Sequence, residues 1–241
     1  MPKALTTWTV LPHGPLEQID DRLLSVGGEI PMPLGRFPRR MTVIGLSGGR
    51  TAIWSAIALR EAEMARIEAL GRPAFLIVPS GFHRLDAAIW KARYPEIAVL
   101  APPGAERRVA EVVPVDATHD MLGDSEAHFQ VVPGTAGRES ALVVRRGDGT
   151  NLIVNDVIGH VRHPHGLGAH LMARLMGFGV RGPQVPRGVK RLIVENPRAL
   201  AAQFRDWAAD SALKRIIVSH GEPIDLDPAS ALRALAASLD G

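Results

Sequence analysis

There is no cysteine in this chain of 241 residues, so disulfides and thiolate metal ligands are both ruled out, and any metal must be held by His, Asp or Glu. Lysine is scarce too, confined to Lys3, Lys91, Lys190 and Lys214. The rest of the positive charge is arginine scattered along the chain, and 28 basic residues against 25 acidic ones leave a formal +3. Nucleic-acid binding needs basic residues gathered on one face, and without such clustering no nucleic-acid partner is expected. No apolar run reaches the roughly 18 residues of a membrane span. The opening stretch MPKALTTWTVLPHGP lacks the continuous apolar core of a signal peptide. No membrane partner and a cytoplasmic location are therefore expected. No repeat of solenoid period appears.

Apolar side chains, by contrast, are plentiful: 46% of residues are hydrophobic, enough to fill a sizeable core, and a single domain over 1–241 is expected. Residues 1–40, rich in Pro and Gly, read as an irregular segment over the core or along a sheet edge, with Leu23–Val26 as one short strand. Met41–Leu46 and Thr51–Ser55 read as strands joined by Gly48-Gly49. That glycine pair is not a phosphate loop, because no GK[ST] sequence follows it. Leu59–Leu70 has helical spacing and stops at Gly71. Phe75–Val78 is a short apolar run suited to a strand buried on both faces, and Leu85, Ala88, Ile89 and Ala92 then repeat at helical spacing up to Pro95.

Further on, Ile97–Leu100 reads as a strand and the region of Arg107, Arg108 and Val109 as a short helix. Residues 127–156 read as β throughout, with the turn Gly147-Asp148-Gly149 between Ser140–Arg146 and Asn151–Asn155. Leu167, Leu171, Met172, Leu175 and Met176 mark a helix, Leu192–Val194 a short strand, and Asn196-Pro197 a helix start. Arg215–Ser219 is the last strand and Pro228–Leu239 the closing helix.

Chemistry attaches to the ends of these strands. His83 lies in the turn after Phe75–Val78, at the carboxyl end of a central strand where α/β folds commonly hold ligands. The bland alternative is that it satisfies backbone groups at a helix start. Asp156 ends the strand Leu152–Asn155, and His220-Gly221 follows the last strand. The stretch Asp156–His170 is rich in histidine: His160, His163, His165 and His170.

A strand ending in a His-bearing turn, a strand ending in Asp and a late strand ending in His-Gly together resemble the metallo-β-lactamase superfamily. That resemblance implies an α/β chain of the α+β type, a four-layer αββα sandwich with its site along one edge of two packed sheets. In that superfamily one strand is followed by T-H-x-H-x-D-H, a second block supplies T-P-G-H, a hairpin ends in a metal-bridging Asp, and a G-H-G-like turn gives the last ligand. Here Ile77-Val78-Pro79-Ser80-Gly81-Phe82-His83-Arg84, Val132-Pro133-Gly134-Thr135, Leu152–Asp156 and Ile217–Gly221 stand in those places. With TAIWSAIAL, LIVPSGFH, YPEIAVLAPPG, a Glu139 strand and VNDVIGH, residues 41–225 are similar to a branch of the superfamily whose turn reads roughly P-N-x-x-H-H.

The departures decide what is inherited. In a gapless alignment the first two metal-binding histidines become Pro79 and Gly81, His83 takes the place of the Asp, Arg84 that of the last His, and the third His is Thr135. The motif is degenerate, and a two-ion hydrolytic centre cannot be assembled from these positions. What the resemblance leaves is His83, Asp156 and His220, two imidazoles and a carboxylate able to hold at most one Zn²⁺ or Fe²⁺, with His160 as a possible fourth ligand. In that reading His83 and Asp156 are the catalytic pair, and the ion would acidify a water to hydrolyse an ester, lactone or phosphate-like bond. The other reading has no metal: Arg84 joins His83 and Asp156 in an ion-pair network or a pocket for a small anionic molecule, with Thr135 also substrate-binding.

Overall fold

The computed structural model describes residues 3–32, 35–163, 174 and 177–240. Among these residues ten strands form two sheets. The first runs in sequence order: β1 (Glu17–Asp20), β2 (Leu23–Met32), β3 (Gly35–Leu46), β4 (Arg50–Trp54), β5 (Arg72–Ile77) and β6 (Ala98–Leu100). The second has the order β10 (Leu213–Val218), β9 (Gly149–Val154), β8 (Ser140–Arg146), β7 (Ala127–Val131). Pairing is antiparallel from β1 to β4 and from β7 to β9, but parallel for β4–β5–β6 and β9–β10. Helices α1 (Glu61–Leu70), α2 (Ala87–Arg93) and α3 (Glu106–Ala110) belong to the first half, and α4 (Arg187–Leu192), α5 (Pro197–Ala208) and α6 (Pro228–Asp240) to the second.

The central strands read as nearly continuous apolar runs because they are covered on both faces. Val43, Ile53 and Leu76 pack with Met64 and Ile67 of α1 and Trp90 of α2 on the outer face of the first sheet. Ile44, Trp54 and Ile77 turn inward against Leu142, Ile153 and Ile217 of the second sheet. Val143, Val154 and Ile216 face Leu200 and Phe204 of α5 and Leu232 and Leu235 of α6. Three apolar seams between four layers make the αββα sandwich.

Two expectations need correction. The segment expected to be irregular is largely strand from Glu17 on: β2 and β3 form a long hairpin register from Leu23↔Ile44 out to Met32↔Gly35, with β1 as the edge. Pro31 and Pro38 mislead because proline is tolerated near strand ends and edges, where a missing N–H is least costly. Leu192–Val194 is not a strand either; Leu192 closes α4, and Ile193 and Val194 donate back to the Val189 carbonyl. A three-residue apolar run carries no period that separates strand from helix. The helix expected around Leu167–Met176 lies outside the described residues. Among those described, no helix is long and apolar enough to cross a membrane.

The sheets are pinned to each other by polar contacts at their rims. Asp124, just before β7, accepts from the Ser47 N–H at 2.6 Å and from the Glu126 and Ala127 N–H groups at 2.9 and 3.0 Å. Burial would raise its carboxyl, but these donors outweigh it and hold the group at about 2. A carboxyl depressed by folding adds stability above its unfolded value near 3.8, and that stability is lost as pH falls toward 2. Asp124→Asn is therefore expected to cost about 2 kcal/mol in urea denaturation at pH 7, with the difference from the native protein closing by about pH 2.

Candidate metal centre

All the chemistry-bearing residues sit where parallel strands end. Val154 of β9 and Val218 of β10 are register partners, so Asp156 and His220, each two residues further on, emerge side by side. Trp54 and Ile77 are partners in β4 and β5, and the Ser55 N–H donates to the Ile77 carbonyl at 3.0 Å, which brings Ser55 beneath the turn that carries His83. The two sheets are locked at this edge: Trp54 Nε1 donates to Ser219 Oγ at 3.1 Å, and the Ser140 N–H and Oγ both donate to the Pro79 carbonyl at 3.1 and 3.2 Å.

Three ligand atoms converge there. His83 Nε2 lies 3.0 Å from His220 Nε2 and 3.4 Å from Asp156 Oδ1, and His220 Nε2 lies 2.9 Å from the same oxygen. Among the described residues this is the one His/Asp/Glu group close enough to share an ion. Atoms bound at about 2.0–2.1 Å to one ion lie roughly 2.9–3.4 Å apart for right-angled to tetrahedral arrangements, which matches all three separations.

The outward nitrogens of the two rings are tied down. His220 Nδ1 lies 2.7 Å from the Pro38 carbonyl, which can only accept, so Nδ1 carries the proton and a neutral ring turns an Nε2 lone pair to the cluster. His83 Nδ1 is 2.8 Å from Ser55 Oγ. The arm of β3 grips His220 further: the Phe37 ring lies against its imidazole with centroids 4.7 Å apart, and Arg40 donates to the Gly221 carbonyl at 3.1 and 3.2 Å. Burial lowers the pKa of His83; Asp156 opposes that without reversing it, and the His220 and Arg39 charges add to the lowering. Asp156 is also buried, which alone would raise its carboxyl, but the imidazoles of His83 and His220 against it, His83 foremost, hold it well below the usual range. The cluster thus offers a cation two imidazoles and one ionised carboxylate.

Glu139 backs the carboxylate from behind. Fully buried, it accepts from the Asp156 N–H at 3.0 Å and from Asn155 Nδ2 at 3.1 Å. Burial and then the Asp156 charge push its own carboxyl well up. Arg39 is also buried, at 5% exposure; it pairs through Nη1 with Asp86, while its Nε and Nη2 have no partner.

The other residues singled out in the sequence are placed differently. Arg84 does not reach Asp156: its guanidinium donates to Glu111 at 2.6 Å and to the Arg108 carbonyl, and it lines a cavity of 490 Å³ with Lys3, Leu5 and Phe82. The reason is local, since Phe82 and Arg84 face α3, where the Arg108 guanidinium sits 4.4 Å over the Phe82 ring. Thr135 is fully buried and spends its hydroxyl on the Val132 carbonyl at 2.7 Å, leaving no surface for a substrate. His160 lies alongside, its N–H on the His220 carbonyl and its Nδ1 2.9 Å from the Glu222 carbonyl, but outside the converging group. His163 is exposed beside Glu222, and His165 and His170 lie outside the described residues.

Sequence reasoning missed Ser55, Arg39, Pro38 and the backing role of Glu139. Ser55 had one legible signal, its place as the polar last residue of the expected strand Thr51–Ser55; the others act through pairings that only the folded chain makes.

No protein-family model and no curated protein matches the sequence. Solved structures do. A metallo-β-lactamase from Erythrobacter litoralis aligns with TM-score 0.62 and 14% identity over 92% of this chain and 96% of its own. TMB-1 gives 0.64 and 12% over 96% and 100%, and FIM-1 from Pseudomonas aeruginosa, in the mono-zinc form, gives 0.60 and 13% over 95% and 96%. The four layers, the strand-end cluster and these near full-length likenesses meet in one conclusion: the chain has the metallo-β-lactamase fold, in a divergent form.

Proposed function

We propose that this protein is a mononuclear metal-dependent hydrolase that holds one Zn²⁺ or Fe²⁺ with His83, Asp156 and His220 and acts on an ester, lactone or phosphate-like bond. The observation that carries this reading is the triangle of acceptor atoms 2.9–3.4 Å apart. Two imidazole lone pairs and a carboxylate oxygen repel at that distance, and one shared proton cannot satisfy three contacts; a divalent cation can. FIM-1, with the same fold, occurs in a mono-zinc form, so a single ion has a precedent in this architecture.

When bound, the ion supplies Lewis acidity and lowers the pKa of water. The chain's own residues prepare the place. Asp156 brings the only negative charge among the ligands, Glu139 and Asn155 fix the backbone from which it projects, and the Pro38 carbonyl holds His220 with Nε2 inward. Purified, unchelated protein is expected to contain about one equivalent of Zn or Fe by elemental analysis, the capacity of a single three-ligand site. Its absence after reconstitution would end this reading.

A second reading is favoured by Arg39. Its unpartnered Nε and Nη2 form one edge of the guanidinium fork, the edge that pairs with a carboxylate or phosphate through two parallel hydrogen bonds. In that case the chain is a metal-free pocket for a small anion. Calorimetry with inorganic phosphate on chelated protein, native and Arg39→Met, separates the two: binding lost in the variant and no metal uptake select the anion pocket.

A further inference from the structure

We infer that the Ser55 hydroxyl is a positioning group that lets His83 exchange one neutral tautomer for the other as the site fills, and so sets how tightly an ion is held. The inference rests on the metal-binding reading above. Ser55 is buried at 5% exposure, and its Oγ lies 2.8 Å from His83 Nδ1, with no other side-chain hydrogen bond. Its backbone is in the left-handed region at φ 53°, where a non-glycine residue is strained. A serine here is thus a poorer backbone choice than glycine, and what it adds is the hydroxyl.

The two histidines are held by chemically different partners. Pro38 offers His220 a carbonyl, which accepts only, so that ring has one neutral tautomer. Ser55 offers His83 a hydroxyl, which both donates and accepts. Without an ion, two of the three contacts are relieved when His83 carries its proton on Nε2, pointing at His220 Nε2 and Asp156 Oδ1, while Ser55 donates to Nδ1. With an ion, Nε2 must present its lone pair. The proton on Nε2 leaves to solvent, Nδ1 takes one up, and the hydroxyl rotates to accept it; the ring is neutral before and after. A carbonyl in place of Ser55 would forbid the first state, and a methyl would support neither.

The test uses the full chain with Zn²⁺ as probe. Long-range ¹⁵N–¹H correlation spectra of the His83 ring should show the proton on Nε2 in chelated protein and on Nδ1 after zinc is added. Competition with a chromophoric chelator should show Ser55→Ala and Ser55→Gly both weaker by about 10- to 100-fold, the range for loss of a partner behind a metal ligand. Ser55→Gly should melt at or above Ser55→Ala, since glycine adopts the left-handed backbone without strain. Wild-type affinity in Ser55→Gly would reduce Ser55 to a backbone role and overturn the inference, as would one unchanged His83 tautomer in both states. If the native protein takes up no zinc, the metal reading fails on its own. The chelated spectra still decide on Ser55: a single Nε2–H tautomer in native protein that becomes a mixture in Ser55→Gly upholds the hydroxyl's control, and a mixture in both refutes it.

Discussion

Asp156→Ala should yield a folded protein that no longer retains a divalent ion. Of the three converging ligands only Asp156 is anionic, and its removal leaves two imidazoles facing each other at 3.0 Å. Loss of a partner behind a ligand weakens metal binding by about 10- to 100-fold; loss of the one anionic ligand should exceed that, taking zinc from about one equivalent to background after dialysis. His83→Ala should fall to background as well, because two ligands remain in each case. The backbone N–H of residue 156 still bonds to Glu139 in the alanine variant, so far-ultraviolet circular dichroism should be unchanged. A full equivalent of zinc in Asp156→Ala would place the ion elsewhere and undo the assignment.

The largest effect on stability is expected at Glu139. Its side chain is the acceptor for the Asp156 N–H and Asn155 Nδ2, in a place with no exposure to water. Each buried donor left without a partner costs about 1–3 kcal/mol, and the space vacated by the truncated side chain adds a cavity penalty. Glu139→Ala should thus lose about 4 kcal/mol in urea denaturation, a large share of the roughly 5–15 kcal/mol that holds a domain folded. Glu139→Gln keeps the volume and one acceptor oxygen and should lose about 1–2 kcal/mol. Equal midpoints for the two variants would mean that solvent enters and replaces the carboxyl, and that Glu139 is not the anchor of the Asp156 turn.

The fold was legible because a sandwiched strand announces itself. Phe75–Val78, Ser140–Arg146 and Arg215–Ser219 are built round buried apolar runs, and each is a strand within three residues of the expected bounds. The N-terminal hairpin was obscured since Gly27, Gly28, Pro31 and Pro38 all lie within strands, held there by a register set across the chain with no local signal. In the site, the residue types at strand ends were readable: His83, Asp156 and His220 are polar groups following buried runs. Their supporting contacts were not. Ser55 and His83 are 28 residues apart and Pro38 and His220 are 182 apart, and only the parallel pairing of β4 with β5 and the reach of the long hairpin bring them together. Arg84 was misread because adjacency to His83 along the chain was taken for adjacency in space, whereas neighbouring residues of this turn face opposite ways.

The contact between Pro79 and Ser140 bears on how this chain could change. Resemblance puts metal-binding histidines at Pro79, Gly81 and Thr135, and the surroundings of these positions differ in how readily they would take one. The Pro79 carbonyl takes both Ser140 donors, joining the sheets. A side chain at Gly81 would begin 2.8 Å from Arg108 Cδ and displace the guanidinium that covers Phe82. An imidazole at 135 would have to fit where a fully buried hydroxyl closes its own turn. Because the Ser140 contact uses a main-chain carbonyl that any residue at 79 would keep, it does not bar a ligand there, whereas histidines at 81 and 135 are expected to cost stability unless α3 and the turn ending at Thr135 change with them.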